Sequence, residues 1–421
     1  MVSRILRAFL ILTAWCAFAL LAGCGGSSHS SNLGGSGGGG VGNNVQSIAV
    51  NGGPVAGQIY ANGAFTSVTV CVPNSSTCQT VDGILVDTGS YGLRVLSSAI
   101  PSLNLPLMTG SGGTTFYDCV SFVDGSFLWG AVSQADVEMA GEKASGASVQ
   151  LIGDPTGFMV PTACSNGGVD VSNLTGLGAN GIIGVGPFPE DCGQACAPSQ
   201  GGTPPPVYFT CVASGNCQTA FVALTQQIVN PVVRFTTDNN GVILEMQSVN
   251  VASATATGSM IFGIGTQTNN TLGSANLFPL GQSGFMTTMF NQKTLSESFM
   301  DSGSNGYFFP DSAITQCVPG SIAPGFYCPG GPLSLSARNV GLNAQSTVNF
   351  TVDNAVTDFQ SNASDAAFSN LAGSNGSDTC SGQTPCGFDW GLPFFYGRHV
   401  FTSIAGQAVP SGAPASPWWA Y

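Results

Sequence analysis

Two copies of one short pattern, far apart in the chain, constrain what this sequence can fold into more than any other feature. "ILVDTGSYGLRV" at 84–95 is echoed by "SFMDSGSNGYFF" at 298–309. Each copy has two apolar residues, then Asp, Thr or Ser, Gly and Ser, two variable positions, and a further apolar stretch. An ionised carboxylate at the end of a buried strand is costly without partners, so Asp87 and Asp301 each need hydrogen bonds or a chemical task. One copy alone fits a strand running into an Asx or Gly turn. Two equivalent copies in separate halves predict a duplicated lobe, each lobe presenting one carboxylate towards a shared axis.

The rest of the chain reads as mostly β. From residue 46 onward, short apolar runs alternate with Gly, Asn, Ser and Pro clusters, as in "GQIYANGAFTSVTVCV" and "GSMIFGIGTQ". That spacing suggests sandwich- or barrel-like β architecture. A folded body of about 375 residues exceeds one compact core, so an N-terminal lobe at 46–250 and a C-terminal lobe at 251–421 are expected. Helical periodicity is scarce, and "TAFVALTQQIV" (219–229) is the best candidate, at about three turns.

The first residues read as processing signals. Arg4 and Arg7 precede an apolar run from Ala8 to Leu20 that is too short and wrongly flanked for a stable membrane span. Leu21-Ala22-Gly23-Cys24 resembles a bacterial lipobox, so residues 1–23 are expected to be a signal peptide and Cys24 the lipidated first residue. Gly25 at the next position fits sorting to an outer membrane in a Gram-negative envelope, facing the periplasm or the cell surface. The Gly/Ser-rich stretch to residue 45 reads as a flexible tether of about 25 Å, with the membrane touched only through the lipid.

Cysteine usage points to the same oxidising compartment. Of 14 Cys, Cys16 leaves with the signal and Cys24 takes the lipid. Ten of the remaining twelve lie in close pairs, Cys71/Cys78, Cys192/Cys196, Cys211/Cys217, Cys317/Cys328 and Cys380/Cys386, and elimination leaves Cys119 with Cys164. Zinc is the rival reading, but there is no paired CxxC pattern and only one His, His399, in the body; no metal or other cofactor is expected. Beyond the tether, six Lys/Arg face 21 Asp/Glu, which disfavours nucleic acid or anionic lipid as a direct partner.

Two carboxylates at hydrogen-bonding distance share a proton, and their apparent pKa values split. One can take a proton from a water between them while the other donates to a substrate carbonyl. Gly89 and Gly303 would bring backbone N–H groups to the carboxylates, Thr88 and Ser302 could cross-link the loops, and Ser90 and Ser304 could bond the outer carboxylate oxygens. A Ser-His-Asp or Cys-His enzyme would have to be built on His399 alone, in the strand-like "YGRHVFTS".

The body resembles a pepsin-like (bilobal) aspartic peptidase over most of residues 55–405. "VSFVDGSFLWGAVSQADVEMAG" (120–141) is similar to that family's flap hairpin and following strand, which assigns Phe122, Asp124 and Gly125 to the flap. "NGIIGVGP" (180–187) is similar to the segment threaded behind the first Asp loop, and "GLPFFYGRHVFTSI" (391–404) to its counterpart behind the second. "VALTQQIVNPVVRFTT" resembles the helix and strand before the lobe crossover, and "GSMIFGIGT" the entry to the second lobe. The resemblance implies Asp87 and Asp301 as the catalytic pair and a peptide or protein as substrate of a monomeric enzyme.

The departures are informative. The family's flap tyrosine falls at Phe122, and the tryptophan that receives its hydrogen bond falls at Arg94; a cation–π contact between the two is one way to replace the lost pair. In "CGFDWGLPFF", Asp389 interrupts the apolar pair expected before Gly391. Three readings follow: a lipid-anchored aspartic endopeptidase, a pepsin-like binding protein that has lost turnover, and a cell-surface structural or adhesive protein. The tail "PSGAPASPWWAY" reads as a loose segment packing its aromatics on the body, or as a docking tail.

Overall fold

The computed structural model describes residues 43–153, 158–198, 202–213, 216–342, 345–376, 380 and 386–421. The expected signal segment, Cys24 and all but the last residues of the tether lie outside the described residues. The fold is mostly β, as the turn-punctuated apolar runs predict. Its two sequence motifs sit in two equivalent arrangements of strands, one in each half.

In the first half, the strand Cys78–Asp87 ends on the motif carboxylate, and the chain returns as Tyr91–Leu96. Between these two lies Gly181–Val185, parallel to the first, with Asp87 opposite Gly184, and antiparallel to the second, with Tyr91 opposite Val185. The second half repeats the plan in shorter form. Lys293–Met300 leads into Asp301, Tyr307–Phe308 returns, and Asp389–Trp390 lies between them, parallel to the former and antiparallel to the latter.

The threaded segment carries a glycine for a steric reason in both halves. A Cβ on Gly184 would lie 2.3 Å from the Tyr91 backbone nitrogen, and one on Gly391 would lie 2.1 Å from the Gly306 carbonyl oxygen. Neither backbone could approach the motif loop so closely with a side chain in the way.

A continuous sheet joins the halves. Val45–Val50 pairs antiparallel with Ala256–Phe262, from Val45 opposite Ile261 to Val50 opposite Ala256. Ala256–Phe262 in turn pairs with Gly241–Met246, which pairs with His399–Ser403. The apolar core runs under both motif loops, including Ile84, Val86 and Ile183 on one side and Met300, Phe388 and Trp390 on the other.

Among the described residues six disulfides form, Cys71–Cys78, Cys119–Cys164, Cys192–Cys196, Cys211–Cys217, Cys317–Cys328 and Cys380–Cys386. This is the pairing expected from spacing and elimination.

Two expectations need correction. The segment 219–229 is not a three-turn helix: only Leu224–Gln226 forms a 3-10 turn, and Pro231–Arg234 forms another. Its backbone donors are claimed by tertiary partners, Ala220 N–H by the Tyr208 carbonyl, Val222 N–H by the Cys196 carbonyl and Ile228 N–H by the Tyr208 hydroxyl. A helix over this segment would claim the Ile228 N–H for its own ladder and break the bond to Tyr208. The C-terminal aromatics do pack on the body, but as a paired strand and not as a loose segment. Trp418–Ala420 is a strand between Leu277–Pro279 and His399–Ser403, with Trp418 and Trp419 buried and Tyr421 stacked on Phe278 at 4.8 Å.

Candidate active site

The two motif loops meet back to back and are tied by a reciprocal set of hydrogen bonds. The Thr88 N–H donates to Ser302 Oγ at 3.1 Å, and the Ser302 N–H donates to Thr88 Oγ1 at 3.0 Å. Each hydroxyl then donates across to the other strand, Thr88 Oγ1 to the Met300 carbonyl at 3.0 Å and Ser302 Oγ to the Val86 carbonyl at 2.8 Å. Six buried polar groups are thereby satisfied by four bonds with no water required, and the two loops are held at a fixed separation.

Each carboxylate is cradled in the same way. The Gly89 N–H donates to Asp87 Oδ1 at 2.7 Å, and the Gly303 N–H to Asp301 Oδ1 at 2.8 Å. Ser90 Oγ donates to Asp87 Oδ2 at 2.5 Å, and Ser304 Oγ is in hydrogen-bond contact with Asp301 Oδ2 at 2.8 Å. Both carboxyls are fully buried and lie close together. Their closeness shows at Gly303, where a Cβ would lie 2.8 Å from Asp87 Cγ and 3.1 Å from Asp301 Oδ1.

Burial raises the pKa of both groups. For Asp301 the charges of Asp87 and then Asp389 push further in the same direction, so the pair holds one proton between its two carboxyls rather than ionising twice. The pair can therefore offer a base and an acid at one point, which is the requirement for activating a water against a polarised carbonyl.

Sequence reasoning missed several residues around this pair. The hydroxyls of Tyr60 and Tyr91 are pushed well above the usual tyrosine range by burial and then by the charges of Asp87 and Asp301, so both lie within electrostatic reach of the dyad. Tyr60 also feels Asp124. Tyr91 directly follows the first motif, and that adjacency was the available signal.

Asn62 stitches the halves together. Its Nδ2 donates to the carbonyls of Asn305 and Phe368, each at 2.8 Å, and its Oδ1 accepts from the Phe368 N–H and the Tyr396 hydroxyl. Its left-handed backbone, φ 56°, suits Asn in the Asn62-Gly63 pair.

The predicted flap is a hairpin. Thr115–Ser121 pairs with Phe127–Met139, and the tip is closed by Phe122 and Ser126, with Gly125 at φ 86°. Asp124 is exposed there and caps the turn through the Ser126 N–H and hydroxyl. Phe122 points inward, packed with Phe65, Leu85, Leu96 and Ile182.

Arg94 does not reach for the Phe122 ring. Its guanidinium is buried in an ionic cluster with Asp118 and with Asp191 at 3.0 Å, and it also donates to Gln150 Oε1. Two carboxylates around one cation are more stable than a single stacked ring because buried charge needs charge. Burial, opposed by Arg94 and reinforced by Asp191, pushes Asp118 up to about 7. Asp118 lies in the first flap strand and Arg94 in the strand returning from the Asp87 loop, so the cluster rivets the hairpin base to the wall of the site.

The model of a family described as a protein of unknown function (DUF3443) matches residues 40–421. The chain belongs to this family. No curated protein matches the chain. Among solved structures, the aspartic proteinase from Irpex lacteus is similar, at 16% identity and a TM-score of 0.47, over 85% of this chain and 93% of that one.

Proposed function

We propose that this DUF3443 protein is an aspartic-type endopeptidase that hydrolyses peptide bonds with a water activated between Asp87 and Asp301. The observation that carries the reading is the pair itself: two buried carboxyls close enough that one Cβ at Gly303 would touch both, each held by a glycine N–H and a serine hydroxyl. Asp87 takes a proton from the water as it attacks the scissile carbon. Asp301 donates its proton to the carbonyl oxygen, giving a neutral tetrahedral diol. Return of a proton to the nitrogen lets the C–N bond break, and the pair recovers its single proton. No residue of the chain becomes covalently bonded to substrate.

Tyr60, Tyr91 and the Asp124 hairpin tip would border the peptide. Lipidation at Cys24 would tether the enzyme to a bacterial envelope membrane, with the Gly/Ser stretch as spacer. The test is peptide-library cleavage across acid to neutral pH with the wild type, Asp87→Asn and Asp301→Asn. The proposal expects cleavage that each substitution abolishes; no cleavage at any pH, or cleavage that survives Asp87→Asn, overturns it.

A second reading, a binding protein that has kept the pair without turnover, is favoured by one observation. Phe122 is locked in the core and Arg94 in its ionic cluster, so the flap lacks the tyrosine that the resemblance leads one to expect. Tight binding of a statine peptide without cleavage of any substrate peptide would decide for it.

A further inference from the structure

Ser304 faces two carboxyls with one proton to give. Its Oγ lies 2.8 Å from Asp301 Oδ2 and 2.7 Å from Asp389 Oδ2, and Asp301, Ser304 and Asp389 are all buried. A hydroxyl carries a single hydrogen, so it can donate to only one of these oxygens. The other contact is a hydrogen bond only if that carboxyl is protonated and donates to Ser304 Oγ. The arrangement has no counterpart on the other side: Ser90 serves Asp87 alone among the described bonds.

The placement of Asp389 is structural necessity only in part. Its strand needs two residues, and its backbone pairs with Phe299 and Phe308. Nothing in that pairing calls for a carboxyl, and its neighbours Phe388 and Trp390 stack on each other as apolar core at 4.0 Å. Asp389 faces the opposite side of the strand from these rings, and a carboxyl buried there is costly and calls for a compensating role.

Resting on the peptidase reading above, we propose that Asp389 is a positioning residue of the dyad: a third carboxyl, joined to Asp301 through the Ser304 hydroxyl, that keeps the shared proton on the pair at pH values where an isolated pair would lose it. With Ser304 donating to an ionised Asp389, Asp301 keeps its own contact with Ser304 Oγ only while it holds a proton; with Asp87 also ionised, losing that proton would place three negative charges in one buried network. The proton is therefore retained, and the pH range over which the dyad is singly protonated extends towards neutral. This is the range an enzyme in a near-neutral envelope compartment would need. The other ionisable groups on the packed elements are Tyr307 on the returning strand, Lys293 and Glu297 on the strand before Asp301, and Arg398 after the segment Leu392–Phe395. Arg398 is engaged with the Phe394 carbonyl at 2.6 Å and lies over the Phe394 ring.

The test compares wild type with Asp389→Asn, which keeps an acceptor for Ser304 but removes the charge. The upper limb of the pH profile of kcat/KM should move to lower pH by about one unit, roughly tenfold in proton affinity, with KM little changed. An unmoved upper limb overturns the inference. The same question is put without turnover by carbon-13 titration of labelled Asp carboxyls in both proteins. If no peptide is cleaved, the peptidase reading fails alone, and the titration still decides: loss of the dyad proton at lower pH in Asp389→Asn supports the inference, and identical titrations overturn it. Should Asp389→Asn not fold, the wild-type titration suffices. Asp301 and Asp389 signals that move together support the network, and independent titration overturns it.

Discussion

Thr88 and Ser302, 214 residues apart in sequence, each receive the other's backbone N–H on the side-chain hydroxyl. The same two hydroxyls donate to the Met300 and Val86 carbonyls, so each residue closes two bonds across the loop junction. Replacing Thr88 by Val keeps the shape but leaves the Ser302 N–H and the Met300 carbonyl without partners. The expected loss is about 1–3 kcal/mol of stability for buried groups left unsatisfied, read from denaturant unfolding. Ser302→Ala should cost a similar amount, and the double variant less than the sum because the bonds form one network. Additive losses would show that the two residues act separately.

Gly303 sets the separation of the carboxyls more directly. A methyl there would stand 2.8 Å from Asp87 Cγ and 2.9 Å from Asp87 Oδ1, and it cannot be accommodated without moving the pair. If the pair activates water as proposed, Gly303→Ala should lower kcat about a hundredfold, the scale of a displacement near 1 Å. The melting transition should fall as well, because overpacking a buried site costs about 1–3 kcal/mol, so kcat is to be read on the folded fraction. Retained turnover would mean that the carboxyl geometry is not what limits the reaction.

Acid should stabilise this protein over part of the pH range. Asp118, pushed from 3.8 up to about 7 by burial, holds a proton in the folded chain that the unfolded chain has released. Between about pH 4 and 7 the native state binds more protons, so stability falls as pH rises through that window and levels off above it. Asp87 and Asp301, raised by burial as well, act in the same direction. Unfolding midpoints at several pH values should show the decline, and Asp118→Asn should flatten it. A stability that rises from pH 4 to 7 would contradict the assignment.

What the sequence discloses depends on how far apart the interacting groups lie along the chain. The Asp loops, their serines and the threaded glycines are local patterns, and each carries its own signature in four or five residues. "NGIIGVGP" is legible because a strand threaded past a motif loop must carry Gly184 at the point of contact. Disulfides closing short loops are legible for the same reason. The Arg94 cluster is not, because its partners come from Asp118 and Asp191, 24 and 97 positions away, on elements whose juxtaposition only the fold decides. The 219–229 segment misleads because its apolar spacing suits a helix, while its N–H groups are needed elsewhere. Asp389 looks like an interruption until Ser304 is seen beside it.

The Arg94 cluster gives the sharpest contrast between removing one charge and removing all of them. Arg94 Nε and Asp118 Oδ1 find no partner within the cluster, so the network is satisfied in charge and not in every hydrogen bond. Arg94→Leu leaves Asp118 and Asp191 as two uncompensated buried carboxylates, and breaking a buried pair in this way costs about 3–5 kcal/mol. Combining it with Asp118→Asn and Asp191→Asn removes the stranded charges and should recover much of that loss. The cost of Arg94→Leu alone should also shrink as pH falls towards 4, where both carboxyls can be neutral. Urea unfolding of the three proteins at pH 4.5 and 7.5 checks both statements. If the single variant is equally destabilised at both pH values, the loss comes from packing of the Arg94 side chain and not from its charge.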